Sequence, residues 1–213
     1  DLDRNKIIIL NPGPADFFFT RVSDDKIKKI KAELALDGKK VLLSVSRLED
    51  GKGYPHLLHL LPEILKKIPN TVLIIVGDGS KRKIILDQIQ RDNLQNCVRF
   101  IGNIPYNNLP LYYQVADVFV LLTHKDENHE EGWGTVFLEA AASSLPVVAG
   151  RAGGAEEVVQ NTRTGFVVDV NQEQDIVLAI TTLLLETEKA KQMGGAGMVR
   201  AQNEFMWHKQ LTK

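Results

Sequence analysis

Cysteine is almost missing from this 213-residue chain, with Cys97 as the single example. A lone thiol cannot close an internal disulfide, so the fold must stand on its core, and a reducing compartment is expected. A charge excess is missing too. The 26 Lys and Arg nearly balance 27 Asp and Glu, leaving a net charge of −1. That excludes the basic footprint of a nucleic-acid binder. No apolar run reaches the ~18 residues of a membrane span. The five histidines have no paired metal-ligand spacing, and "HKDENHEE" (124–131) reads as a solvated loop. Asp1-Leu2-Asp3 precedes a strand and cannot join a site at strand ends. Internal repeats, low-complexity tracts and Pro/Ser-rich linkers are lacking as well. What remains is a chain with 44% hydrophobic residues, enough for a substantial core.

Short β-branched runs alternate with helical patterns. Strands are expected at 6–10, 39–48, 71–79, 97–102, 117–123, 146–150 and 165–170. Helices are expected at 23–34 (behind a Ser23 N-cap), 54–69, 81–92, 107–116, 135–144 and 154–161, with two more closing the chain. The strand segments are continuous apolar runs, not alternating ones. Such strands are covered on both faces, which predicts an α/β fold: a single doubly wound, Rossmann-like parallel sheet between helix layers. The domain core is expected over about 6–190, followed by a helical tail at 191–213. Cys97 reads as a small core residue. "KIKKIK" (26–31) reads as a solvated helix face, though such a basic helix leaves contact with an anionic lipid surface open.

Sheets of this kind bind ligands beyond the carboxyl ends of their strands. Five strand ends here carry glycine, charge or both: "RLEDGKG", "GDGS", "GNIPYNN", "HKDENHEEGWG" and "GRAGGAEE". Arg47 and Lys52 bracket a tight turn, a fork-shaped cation and a point cation suited to a diphosphate. Two solvated surface cations would fit the same residues. "GDGS" lacks the third glycine of a dinucleotide loop, and "LEDGKG" lacks the leading glycine and following hydroxyl of a P-loop. In "EEGWGTVFLE", Gly132-Trp133-Gly134 runs into a helix whose free N–H groups attract anionic oxygens. Glu131 sits at the mouth of that turn and Glu139 one turn into the helix. Two carboxylates can hold two sugar diols. A surface acid beside a capping acid is the plainer alternative.

Taken together these residues resemble the carboxy-terminal, donor-binding domain of family 4 retaining glycosyltransferases, which have the GT-B fold. "SRLEDGKG" is similar to the family's Gly-Arg-Leu-x-x-x-Lys-Gly loop, with Ser46 in place of glycine. Glu131 and Glu139 fit its Glu-x7-Glu motif, "GRAGGAEE" its Gly-Gly-x-x-Glu segment ending at Glu157, and "EFMW" its Phe-x-Trp. "NPGPADFF" resembles the entry to this domain, altered by Pro12 and Pro14. The resemblance implies transfer of a hexose from a nucleoside diphosphate sugar to a glycan or lipid-linked acceptor, closest to bacterial enzymes that mannosylate lipids. It implies catalytic roles for Arg47, Lys52 and Glu131. Arg47 and Lys52 would hold the diphosphate, Glu131 with the following amides of Gly132, Trp133, Gly134 and Thr135 the hexose, and Glu139 the ribose. The base would rest by Gly77, Asp78 and Gly79 and the backbone of Asn103, Ile104 and Pro105. No metal or other cofactor is expected. The acceptor would be bound by an amino-terminal domain not included in this chain, which opens as if cut from a longer one and would be inactive alone. The setting implied is cytoplasmic, at the inner membrane face. A non-catalytic sugar-nucleotide-binding module and a GT-B epimerase or phosphorylase are the competing readings.

Overall fold

The computed structural model describes residues 12–125 and 133–210. Among them six strands form one parallel sheet: β1 (Lys40–Val45), β2 (Thr71–Val76), β3 (Val98–Gly102), β4 (Val118–Leu121), β5 (Val147–Gly150) and β6 (Gly165–Val168). Their spatial order is β3-β2-β1-β4-β5-β6, so the topology reverses between β1 and β4. That is the doubly wound arrangement, whose switch point is where ligands dock. The expected strand at 6–10 lies outside the described residues.

The apolar runs explain the sheet. All six residues of β2, "TVLIIV", are buried, as are five of six in β1. β1 and β2 pair in register from Lys40↔Thr71 to Val45↔Val76. Helices cover both faces: α1 (Asp24–Glu33), α2 (Tyr54–Lys67), α3 (Arg82–Arg91), α4 (Leu109–Val115), α5 (Thr135–Ala142), α6 (Ala155–Val158), α7 (Glu173–Leu185), α8 (Thr187–Arg200) and α9 (Trp207–Gln210). Buried residues of sheet and helices merge into one hydrophobic core.

Several expectations change in detail. The first strand stops at Val45, because Leu48 N–H leaves to bond Asp78 O at 3.0 Å. The second stops at Val76, where Gly77 takes φ +135°. The helix expected at 107–116 divides into a 3₁₀ turn, Tyr106–Asn108, and α4. The one expected at 154–161 shrinks to α6, because Val159 is extended and Arg200 takes the carbonyls of Glu157 and Val158. Ser23 stands at the start of α1, but its hydroxyl makes no capping bond. Cys97 is half-buried, with Sγ 3.2 Å from Leu94 O, and burial pushes its thiol pKa up.

The boundary expected at residue 190 falls inside α8, which packs along α5. A Cβ on Gly194 would come within 2.0 Å of Ser144 O, so only glycine lets the two segments approach this closely. α8 continues into a π turn, Ala201–Phe205, and Phe205 is buried 6.1 Å from the Trp133 ring.

Candidate donor-binding site

The carboxyl ends of β1, β2 and β3 surround a cavity of about 410 Å³. Its lining includes Ser46, Arg47, Gly77, Asp78, Asn103, Ile104 and Tyr106. Sequence reasoning had placed five of these seven at a ligand: Arg47, Gly77, Asp78, Asn103 and Ile104. The volume falls within the ~300–1,000 Å³ range of small-molecule sites. Gly77 is required here. With φ at +135°, a Cβ would sit 1.9 Å from Ser46 O, so the exits of β1 and β2 could not pass each other.

Charge at the rim is unevenly used. Asp78 accepts from Gly79 N–H at 2.8 Å and from the Arg82 guanidinium at 2.8 Å, fixing the first turn of α3. Lys81 pairs with Asp50 at 2.8 Å. Arg47 is exposed and its guanidinium makes no hydrogen bond or ion pair with a described residue. Ser46 Oγ lies 2.9 Å from the buried Tyr54 hydroxyl, tying the exit of β1 to the start of α2.

Glu139 lies behind this cavity. It sits on the second turn of α5, a helix entered through Gly134 at φ +71°, where a Cβ would come 2.7 Å from the Phe137 ring. The side chain is only 4% exposed. Oε1 accepts from the Tyr106 hydroxyl at 3.0 Å, and Oε2 from the fully buried Tyr113 hydroxyl at 2.9 Å. Burial raises its pKa to about 7, and the two tyrosine bonds pull it back only partly. Burial and the nearby Glu139 charge push both tyrosines up in turn. Tyr106 is thus a cavity wall on one side and a partner of Glu139 on the other.

The remaining predicted residues are distributed around this centre. Lys52 follows Gly51, whose carbonyl accepts from His124 N–H at 3.0 Å, so its loop meets the exit of β4 across the switch point. His56, in the first turn of α2, packs edge-on against His124 at 5.3 Å between centroids. Pro105 precedes the 3₁₀ turn that carries Tyr106, and Thr135 begins α5. Gly79 is packed on the backbone of Leu48. The side chain of Trp133 does not join the cavity. Its indole N–H donates to Pro12 O at 3.0 Å and its ring faces Phe205. Glu131 and Gly132 lie outside the described residues. Among the described residues no group of three His, Cys, Asp or Glu is placed to hold a metal, and no helix is long and apolar enough to cross a membrane.

Tyr106 and Tyr113 were missed in the sequence. The available signal was their spacing of seven residues across a turn and helix following a strand, which brings side chains to one face. Nothing in the string alone names Glu139 as their shared partner.

Comparison with known proteins fits this geometry. Residues 25–199 match the family described as glycosyl transferases group 1. A GDP-mannose-dependent α-(1-6)-phosphatidylinositol monomannoside mannosyltransferase of Mycolicibacterium smegmatis is 35% identical over 185 residues, 86% of this chain and 48% of that protein. This chain thus spans about half the length of the curated relatives it matches first. The structure of Anabaena HepE in complex with UDP-glucose superposes with a TM-score of 0.81 and 27% identity, covering 94% of this chain and 53% of that one. The carboxy-terminal domain of LpcC, a group 1 glycosyl transferase from Francisella tularensis, shares the fold at 20% identity and TM-score 0.74, over 92% of this chain and all of that one. A family match over most of the chain leads to one conclusion: the chain belongs to the group 1 glycosyl transferases.

Proposed function

We propose that this chain is the donor-binding half of a retaining glycosyltransferase, moving a hexose from a nucleoside diphosphate sugar to a glycan or lipid-linked acceptor. The observation that carries the reading is the cavity at the ends of β1, β2 and β3, with Arg47, unpaired among the described residues, at its rim and Glu139 behind its wall. Arg47 and Lys52 hold the diphosphate and stabilise the charge that develops on it as the bond to the sugar C1 breaks. Glu139 accepts from the ribose hydroxyls. Glu131 and the amides at the start of α5 hold the hexose. The base lies against Gly77, Asp78, Gly79 and the segment Asn103–Pro105. No metal is needed in this scheme, because cationic side chains and a helix N-terminus face the phosphates.

Similarity to a GDP-mannose-dependent enzyme that acts on a phosphatidylinositol mannoside favours mannose as the sugar and a lipid acceptor. That acceptor would place the whole protein at the cytoplasmic face of a membrane. Similarity to a structure holding UDP-glucose supports a sugar nucleotide as donor. Calorimetric titration of the chain with UDP, GDP, ADP and their sugars, in metal-stripped buffer with and without EDTA, tests the reading. Micromolar binding of at least one nucleoside diphosphate, unchanged by EDTA, is expected. Binding that EDTA abolishes overturns the metal-free scheme, and no binding to any of them overturns the donor-site reading.

A further inference from the structure

We infer that Tyr106 is a positioning residue for ribose recognition, its hydroxyl fixing Glu139 so that the carboxylate keeps acceptor sites for a vicinal diol. The inference rests on the donor-binding reading above and assigns a residue to it that the sequence did not single out.

Three observations support it. The first is connectivity. Tyr106 lines the cavity formed by the ends of β1, β2 and β3, and its hydroxyl reaches Glu139 Oε1 at 3.0 Å. Through it the cavity wall and the buried carboxylate form one unit. The second is acceptor arithmetic. An ionised carboxylate has about four acceptor sites, two on each oxygen. Tyr106 uses one on Oε1 and Tyr113 one on Oε2. Counting the described residues, one site remains on each oxygen, matching the two donors of a ribose 2′,3′-diol. By this count one carboxylate has sites enough for both tyrosines and a diol reaching it past the Tyr106 wall. The third is anchoring. The Tyr106 ring is held edge-on by Phe17 at 5.3 Å and by the buried Phe18 at 5.4 Å. A ring clamped from behind transmits its position to the carboxylate it bonds. Without the hydroxyl, Glu139 keeps only Tyr113 among the described residues and can turn its Oε1 away from the diol.

The test is calorimetric titration of the chain with UDP and GDP and with their 2′-deoxy counterparts. The wild type should prefer the ribose form of its cognate nucleotide by about tenfold, the size of one hydrogen bond to a charged acceptor. Tyr106→Phe keeps the ring and should weaken the ribose form by about tenfold, leaving the deoxy form within about twofold, so that the preference disappears. Tyr106→Leu also removes the ring and should weaken both forms. If Tyr106→Phe weakens both forms equally, or leaves the ribose form unchanged or tighter, the inference is overturned while the donor site stands. A wild type that binds both forms equally overturns Glu139 as the ribose ligand, and with it this role for Tyr106. A wild type that binds no nucleotide overturns the donor-site reading itself.

Discussion

Replacing Glu139 with Gln should make the ligand-free protein more stable at alkaline pH while weakening its site. The carboxyl is 4% exposed and its pKa is raised from 4.5 to about 7 by burial, against the opposing pull of two tyrosine bonds. The folded state therefore keeps a proton that the unfolded chain releases between those two values. Stability from this group is fully present below about pH 4.5 and is lost as pH rises to about 7. Holding the pKa at about 7 instead of 4.5 corresponds to roughly 3 kcal/mol of destabilisation above pH 7. Gln carries no charge to desolvate. It offers one acceptor and one donor, and a tyrosine hydroxyl can turn to meet either. Allowing for imperfect matching, Glu139→Gln should gain about 1–3 kcal/mol at pH 8.5, or roughly 3–10 °C in Tm for a domain of this size. Near pH 5 the two proteins should melt within about 2 °C of each other. Paired thermal melts at both pH values, without nucleotide, measure the difference directly. A variant that melts lower than the wild type by the same margin at pH 5 and pH 8.5 would refute the reasoning. It would mean that the Glu139 charge is compensated and the tyrosine bonds are a net source of stability.

Other outcomes follow from the same geometry. Arg47→Ala and Lys52→Ala should each weaken a nucleoside diphosphate by about tenfold to a hundredfold and the bare nucleoside hardly at all, measured by titration; equal losses would make the loop merely structural. Gly77→Ala should cost about 2–4 kcal/mol in denaturant unfolding, since it combines left-handed strain with a clash against Ser46 O. Glu131→Gln should leave nucleoside diphosphate affinity nearly intact and weaken the sugar nucleotide, whereas Glu139→Gln should weaken both at pH 8.5; the reverse pattern would exchange the two acids' roles.

The parts of the fold readable in the sequence were those with strong local causes. "TVLIIV" and "KVLLSV" read as buried strands, and that is what they form. Alternation of strand and helix implied a doubly wound sheet, but not its order. The reversal between β1 and β4 is set by packing over long sequence distances, with Leu42 and Leu43 of β1 meeting Val118 and Phe119 of β4. Helix ends were least readable, because tertiary partners decide them. α6 ends where Arg200, more than forty residues later, takes its last carbonyls. At the site, charged residues in glycine-rich turns were visible from their type and spacing. The tyrosines were not: Tyr113 in an apolar helix reads as core, and Tyr106 in a polar turn as surface, until their hydroxyl partner is known. Trp133 was named for its backbone amide, and the structure adds what the string does not show, that its indole spends its one donor on Pro12.

The distribution of charge shows how a protein of net charge −1 could present the proposed site for a dianion. At the exits of β1 and β2 most charges are already matched: Lys81 by Asp50, Arg82 by Asp78. These pairs are partly exposed, so each contributes little to stability, on the order of 0–1 kcal/mol. Their effect is to stiffen the turns and to remove competing cations from the rim. Arg47, left without an acid among the described residues, then projects an uncompensated charge beside the cavity. In the proposed donor site a diphosphate would gain a charge-assisted partner there without first breaking a pair among the described residues. Glu139 is the counterpart inside. It is a charge held in a poor environment by two hydroxyl donors, and further donors from a diol would relieve it.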